Sequence, residues 1–423
     1  MYNLRGGFLV RPLAIALALG SAGALLSSIE ERAPAFSASH ADPQVAQIIL
    51  GGIAASIMTV VSIVFAILLM SLTLASMQFS PRIIISFSRD RVTQWTLGIF
   101  LGTFCYCMAA LPAARSLPRP ETPWLTVLGA MALALVCVAW LLFFIHHISH
   151  AISVSHIVDR IASETEAVID DVMPKPRRPV QIAAPPMTFD PVDWQTTVLS
   201  DTSGYIRYVD VSRSIAVAKS CHVKAHAVRR VGQFVPAGAP LLTIYKGERL
   251  SPEAAEELRG GFDIGPSRTL QQDMEFGVLQ IVDIALKAIS PAVNDPTTAI
   301  NCIDQLSRIL IRAASRESPE RYYYDPPGVL RFTLPWIDFE GLTDSAFEQI
   351  RLYAKADMAV SLRLLRALAD VAASTPVGEL RAGLAERGRR IVAGCVERLG
   401  EHELRPMRER LETLERIAAQ AGG

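Results

Sequence analysis

The first 150 residues contain few charged side chains: no lysine, eight arginines and five acidic residues. Over the whole chain, 41 Lys and Arg residues balance 41 Asp and Glu residues. Because a basic excess is the electrostatic footprint of nucleic-acid binding, its absence argues against a nucleic-acid partner. Since charge is scarce only in the first third, the chain combines a lipid-compatible part with a part of ordinary soluble composition.

Cysteines are also few, and the usual catalytic motifs are missing. The six cysteines form no Cys-x-x-Cys pair and no metal-type cluster. We therefore expect no disulfide framework, which fits a cytosolic location for the soluble part. The sequence has no Walker loop, G-x-S-x-G, H-E-x-x-H or Rossmann glycine fingerprint. We expect neither a cofactor nor a metal, and an enzyme is the less favoured interpretation.

Four apolar segments are long enough to cross a bilayer, which requires roughly 20 helical residues. They cover residues 8–29, 48–77, 96–114 and 125–145. The first has the short apolar core of a signal peptide, but we interpret it as a retained span. Residues 1–150 are therefore predicted to be a transmembrane domain of four helices, with the lipid bilayer as a partner.

Arginines in the short loops predict the orientation of these spans. Arg5 and Arg11 lie at the start of span one, three arginines lie between spans two and three, and Lys and Arg residues follow span four, whereas the other two loops hold one and two arginines. Loops rich in Lys and Arg face the cytoplasm. Both termini are therefore expected to be cytoplasmic.

Span two contains small and hydroxyl side chains that recur near helical spacing. They are Ser56, Thr59, Ser62, Ala66, Thr73 and Ser76. One interpretation is helix–helix packing through small residues. The other is a pore-lining stripe, because the span has no mid-membrane charge of the kind that proton-coupled transporters use.

A second polar set is predicted at the cytoplasmic ends of the spans. Its members are Gln78, Ser80, Arg82, His146, His147 and His150. Because His146 and His150 are four residues apart, they share a helical face that could bind a transition metal, but no carboxylate or cysteine completes the ligand set. A pH-responsive cluster and ordinary hydrogen-bonded histidines remain the alternatives.

The remaining chain predicts a cytoplasmic α+β region. Residues 151–195 read as a helical extension, continuing span four to about residue 172, and a Pro-rich linker. Residues 196–250 alternate like short strands, including "SIAVAK" at 214–219, and predict a small β-barrel-like module. Residues 251–423 predict a helical domain, with helices at 269–289, 296–315, 343–374, 377–400 and 406–421.

The stretch "SPAVNDPTTA" at 290–299 separates the predicted helices 269–289 and 296–315. Asp295 is expected to be an N-cap and Pro296 the first helical residue, which makes a two-helix corner. The corner has more polar residues than one cap requires, so it is also a candidate site for a ligand or partner. The candidate residues, which lie within the preceding helix and at both of its ends, are Arg268, Asp273, Asp283, Ser290, Asn294, Asp295 and Thr297.

Several blocks resemble a family of bacterial four-pass proteins described only as predicted membrane proteins. They include "MQFSPRIIISFSRDRVTQW", "GQFVPAG", "RTLQQDMEFGVLQIVDIALKAISPAVNDPTTAINCIDQL" and "FEQIRLYAKAD". The Gln-Phe-Ser-Pro-Arg and Ser-Pro-x-x-Asn-Asp-Pro blocks are the most specific. The resemblance implies the bacterial inner membrane and the domain order given above, but no reaction, substrate or catalytic residue.

Two functions fit these observations. The favoured one is an oligomeric channel or channel-like protein for small ions or solutes, with a cytoplasmic gating domain. Four spans leave little room for a path in one copy, so the pore would form in a symmetric homo-oligomer. The alternative is a membrane-anchored sensor or scaffold whose cytoplasmic helical domain binds a ligand or partner.

Overall fold

A computed structural model describes most of the chain. The described residues are 10–32, 43–78, 91–112, 124–151, 153–175, 195–246, 250–355, 357–396 and 399–419. The chain divides into two compact units, Met1–His156 and Ile157–Gly423.

The first unit contains the four predicted spans. The helices are α1 (Val10–Arg32), α2 (Pro43–Gln78), α3 (Arg91–Ala110) and α4 (Trp124–Ala151). Each is long and apolar enough to cross a membrane. The α-helical membrane fold predicted from the apolar runs is confirmed.

Helices α1 and α3 approach closely because glycines line their contact. A Cβ at Gly98 would lie 2.6 Å from Ile15 Cδ1, and one at Gly102 would lie 2.5 Å from Leu19 Cδ1. Gly98 and Gly102 are four residues apart, the spacing that brings membrane helices together. On the α1 side, a Cβ at Gly23 would lie 2.6 Å from the carbonyl oxygen of Tyr106.

A buried carboxylate joins α1 to α4. Glu30 is only 8% exposed and accepts hydrogen bonds from the backbone N–H groups of Leu125 and Thr126, at 2.6 and 3.1 Å. Thr126 Oγ1 also donates to Glu30, and Tyr106 Oη donates to the carbonyl of Thr126. Glu30 thus satisfies N–H groups that the first turn of α4 leaves without helical partners.

Span four does not continue to residue 172 as one helix, as the sequence had predicted. Helix α4 ends at Ala151, and α5 (Val154–Val172) begins after a break. The amphipathic α5 buries its apolar side within the second unit, including Ile157, Ile161 and Ile169. A Cβ at Gly277 would collide with Thr165 Oγ1, so glycine permits this close packing.

The described residues of the second unit form two sheets. Strands β1 (Gln195–Leu199), β5 (Pro240–Tyr245), β3 (Lys224–Ala227), β8 (Val329–Thr333) and β7 (Tyr322–Asp325) form the larger sheet in that order. In this sheet β3 and β8 pair in parallel, and the other pairs that the structure describes are antiparallel. The smaller antiparallel sheet has the order β4 (Phe234–Val235), β2 (Gly204–Val209) and β6 (Phe262–Gly265).

Two secondary-structure predictions were wrong. The segment "SIAVAK" lies in helix α6 (Val211–Ser220), because Asp210 caps its N-terminus and Ser214, Val217 and Ala218 are buried at helical spacing. The region after residue 250 is not wholly helical. It contributes β6, β7 and β8, which pair with strands far away in sequence.

Further helices of the second unit lie between and after these strands in the chain. They are α7 (Pro252–Arg259), α8 (Met274–Ala288), α9 (Pro296–Ala314), α10 (Phe339–Tyr353), α11 (Met358–Ser374), α12 (Gly378–Cys395) and α13 (Glu401–Ala419). The predicted helix at 343–374 is two helices, because Asp357 caps α11 by accepting from Val360 N at 3.0 Å. Helix α13 begins before Pro406, which lies inside it.

Candidate functional site

The candidate pore-lining residues of α2 that the structure describes lie on the side that faces away from the other three helices. Ser56, Thr59, Ser62, Ala66 and Thr73 are all exposed. The buried positions of α2 are Ala46, Leu50, Ala54, Ile57 and Val64. At 100° per residue these two sets lie on opposite sides of the helix. The side chain of Ser76 lies outside the described residues.

Three of the hydroxyl groups on this side are hydrogen-bonded within the helix. Thr59, Ser62 and Thr73 donate to the carbonyl four residues earlier, at 3.2, 3.0 and 2.8 Å. They can therefore face lipid or another helix without an unsatisfied donor. A role in packing between copies and a role in lining a pore both stay predictions.

The predicted cytoplasmic-end set is only partly described. His146 is exposed, and the ring of His147 stacks on Phe143 with centroids 6.3 Å apart. Ser80, Arg82 and the side chains of Gln78 and His150 lie outside the described residues. Where side chains are described, no three His, Cys, Asp or Glu residues are grouped to hold a metal.

The corner between α8 and α9 is a well-formed helix cap. Asp295 accepts from Thr298 N at 3.1 Å and from Thr298 Oγ1 at 2.6 Å, and Pro296 begins α9. These bonds hold the pKa of Asp295 below its ordinary value. Asn294 has a φ of 48°, a left-handed conformation that asparagine tolerates. The predicted cap is confirmed.

Four charged side chains cluster at the other end of α8. Asp273 caps the helix and pairs with Arg268, at 2.7 and 2.8 Å. Glu275 accepts from Arg230 through both oxygens at 3.0 Å and from Arg268 at 2.8 Å. Ser345 of α10 donates to Glu275 at 3.0 Å. This ion cluster links the turn that contains Arg230 to helices α8 and α10 of the same unit.

The ion cluster is mostly buried, so its charges depend on one another. The side chains of Arg268, Asp273 and Glu275 are 13%, 3% and 12% exposed. Burial opposes ionisation of Glu275, but the hydrogen bonds from Arg230 and Arg268 outweigh it and lower the pKa of Glu275. Likewise, burial disfavours the Arg268 cation, but Asp273 and Glu275 raise its pKa.

A turn in the sheet module makes room for this cluster. Gly232 has a φ of 87°, and a Cβ there would collide with the Asp273 carboxylate and lie 2.7 Å from Arg268 Nη2. Glycine is therefore required on both conformational and steric grounds. The two sequence blocks "GQFVPAG" and "RTLQQDMEFG" meet at this point.

The structure does not bring the predicted ligand residues together. Arg268 and Asp273 lie at the N-terminal end of α8, whereas Ser290, Asn294, Asp295 and Thr297 follow its C-terminal end. The 15 residues of α8 separate the two groups by roughly 22 Å at 1.5 Å per residue. Asp283 is half-buried in the middle of the helix.

Comparison with known proteins places the chain in a family. The profile described as predicted membrane protein (DUF2254) matches residues 5–370. The chain belongs to the DUF2254 family. Two relatives are the uncharacterized proteins Mb1321c of Mycobacterium bovis and Rv1290c of Mycobacterium tuberculosis, each 34% identical over 388 residues. The alignment covers 87% of this chain and 72% of each relative. No solved structure matches the chain.

The DUF2254 match extends over both units. It contains the four candidate spans, the α2 residues, the ion cluster and the α8–α9 corner, and it ends before α12 and α13. The family description agrees with the membrane assignment, and it names no substrate or reaction.

Sequence reasoning missed Arg230, Glu275 and Ser345 of the ion cluster. They come from three separate segments, so no local spacing connects them. The one usable indication in the sequence was Gly232 in a tight turn, because a glycine in such a turn often marks a place where another part of the chain lies close to the backbone.

Proposed function

We propose that this DUF2254 protein is a channel-like permeation protein for small ions, formed by several copies in the bacterial inner membrane. The observation that carries the proposal is the exposed outer side of α2. Its small residues follow alternating steps of three and four: Gly52, Ala55, Thr59, Ser62, Ala66 and, one heptad later, Thr73. This 3.5-residue spacing is typical of a helix that packs along a seam with other helices.

Small side chains favour contact between membrane helices, because they let backbones approach and dispersion forces act. Cβ atoms built at Gly51 and Gly52 would meet nothing within 4 Å, so this part of α2 is open within one copy. A second copy of the protein is the proposed neighbour. Around a symmetry axis, hydroxyls and small residues of several α2 helices would face a common path.

A path within one copy is not favoured, because the interior of the four-helix unit is filled. Phe100 and Phe144 are fully buried between the helices, together with Val64 and Cys137. Helix α2 contains no Asp, Glu, Lys or Arg. A charge-free face suits passive permeation better than proton-coupled transport.

The experiment compares two tryptophan variants on the same helix. Ala66→Trp should fill the proposed path and reduce ion flux into liposomes by about tenfold or more, while the oligomer persists. Phe65→Trp is the matched control. Its exposed, already aromatic side chain lies to the side of the small-residue face, so flux should stay unchanged. Oligomer mass is measured on the same samples.

Two results would count against the channel. A correctly assembled wild-type oligomer without flux for several small ions would favour the membrane-anchored sensor. Loss of the oligomer in Ala66→Trp, with an overpacking cost of roughly 1–3 kcal/mol, would assign the α2 face to packing alone.

A further inference from the structure

A cavity of about 310 Å³ lies in the second unit, between the end of α5 and helices α8, α9, α10 and α12. Its floor is apolar and well buried: Met173, Met274, Ala313 and Leu342 are 6%, 3%, 2% and 2% exposed. The volume is at the lower end of the roughly 300–1,000 Å³ typical of small-molecule pockets.

Most polar side chains that line the cavity lie at its mouth; the exception is Arg316, whose side chain is only 6% exposed. Ser315, Glu317, Ser318 and Asp338 are exposed there. Asp338 caps α10 by accepting from Gly341 N at 2.8 Å. The site therefore has an apolar interior and a hydrogen-bonding rim, the usual arrangement of a pocket for a small organic molecule.

The charges that line the cavity disfavour an anionic occupant. Arg316 is the cation that lines the cavity, and its guanidinium pairs with Asp170 of α5 at 2.5 Å. The carboxylates of Glu317 and Asp338 add negative charge without a second cation among the lining residues. An acidic head group would meet repulsion at the rim, whereas an uncharged hydroxyl could hydrogen-bond to the serines and carboxylates.

We propose that this cavity is a binding site for an uncharged amphiphile with a compact apolar body and a hydroxyl head. The two methionines suit such a site because their flexible thioethers adapt to the shape of a ligand. The assignment stands on the cavity alone. It does not depend on the channel proposal, so a protein without ion flux would leave it unaffected.

Photolabelling of the full chain in lipid nanodiscs tests the site. The probe is 3-azi-1-octanol, and peptide mass spectrometry locates the label. Labelling of peptides around residues 313–319 and 337–342 should saturate with probe concentration and be suppressed by excess 1-octanol. Excess octanoate at neutral pH should not compete, and equal competition by octanoate would overturn the uncharged head group.

Two filling variants and one control complete the test. Ala313→Trp fills the floor, and Val377→Trp fills the mouth from a position that is 49% exposed. Each should reduce cavity labelling by roughly tenfold or more, because the inserted ring occupies the space. Ala373→Trp lies on an exposed part of α11 that does not line the cavity, so this control should leave cavity labelling unchanged.

If Ala313→Trp does not fold, Val377→Trp carries the comparison. Cavity peptides that remain unlabelled, or that label equally in wild type and in a folded filling variant, would overturn the site. Label in the membrane helices is expected in every sample and is not scored.

Discussion

Gly232 is the residue on which the ion cluster depends most directly. Gly232→Ala should destabilise the protein by about 2–5 kcal/mol, because it adds left-handed strain to a collision with Asp273. Gly238→Ala is the matched control. Gly238 has a similar φ of 78° but open space around its Cβ, so only the strain of about 1–2 kcal/mol applies. Thermal unfolding of both variants measures the difference, and equal losses would contradict the packing argument.

Glu275 makes the cluster sensitive to acid. Its folded-state pKa lies below its ordinary value of 4.5, so its contribution to stability is fully present above that pH. The contribution is lost as the pH falls through the folded-state pKa. Glu275→Gln should lower the melting temperature at neutral pH, because Arg230 and Arg268 lose a charged partner.

The same variant should lose less further stability than wild type between about pH 5 and pH 3. Melting temperatures measured over this range give the change of stability with pH for wild type and for Glu275→Gln. The exposed Glu412→Gln is the control and should follow the wild-type curve. Parallel curves for wild type and Glu275→Gln would show that Glu275 does not set the acid response.

At the scale of elements, α5 is tied to α9 by a ladder of ion pairs. Arg308 bonds to Asp159 at 2.8 Å and to Glu166 at 2.5 Å, and Arg312 bonds to Asp170 at 2.5 Å. Arg308 and Arg312 are four residues apart, so they lie on one face of α9. Because α5 follows α4 directly in sequence, this ladder anchors the segment that comes next after the last candidate span.

Arg308→Ala should loosen α5 more than it lowers overall stability. The pairs are partly exposed and contribute about 1 kcal/mol or less, which corresponds to roughly fivefold faster amide exchange if α5 opens locally. Hydrogen-exchange mass spectrometry of peptides from 157–172 measures this. Arg405→Ala breaks an i,i+4 pair on α13 whose side chains are 80% and 64% exposed, and should leave α5 unchanged. Equal effects would contradict the anchoring role.

The elements also show which parts of the fold a sequence can predict. Long apolar runs predicted all four spans, and Asp295 with Pro296 predicted the start of α9, because these properties are local. Strands β6–β8 were missed because their pairing partners lie far away in the chain. Helix α6 was misassigned because its β-branched residues outweighed the Asp210 cap. The ion cluster required residues from three elements and could not be found from spacing.

At the scale of the whole molecule, the orientation in the membrane is a separate question from the fold. It depends on charges in short loops, since arginine-rich loops are retained on the cytoplasmic side. Arg82, Arg89 and Arg91 lie between spans two and three, whereas Arg115 and Arg119 lie between spans three and four. Together with Arg5 before span one and Arg11 near its start, this distribution predicts that both termini are cytoplasmic.

Reporter fusions test this orientation on the full chain. Green fluorescent protein fused after Gly423 should fluoresce, and alkaline phosphatase at the same position should be inactive, because each folds on only one side of the inner membrane. A phosphatase fusion after Pro120, in the loop predicted to be periplasmic, is the matched control and should be active. The opposite pattern at both positions would invert the topology. It would also place the second unit, with the ion cluster and the 310 Å³ cavity, in the periplasm, where the cytoplasmic gating proposed for it could not operate.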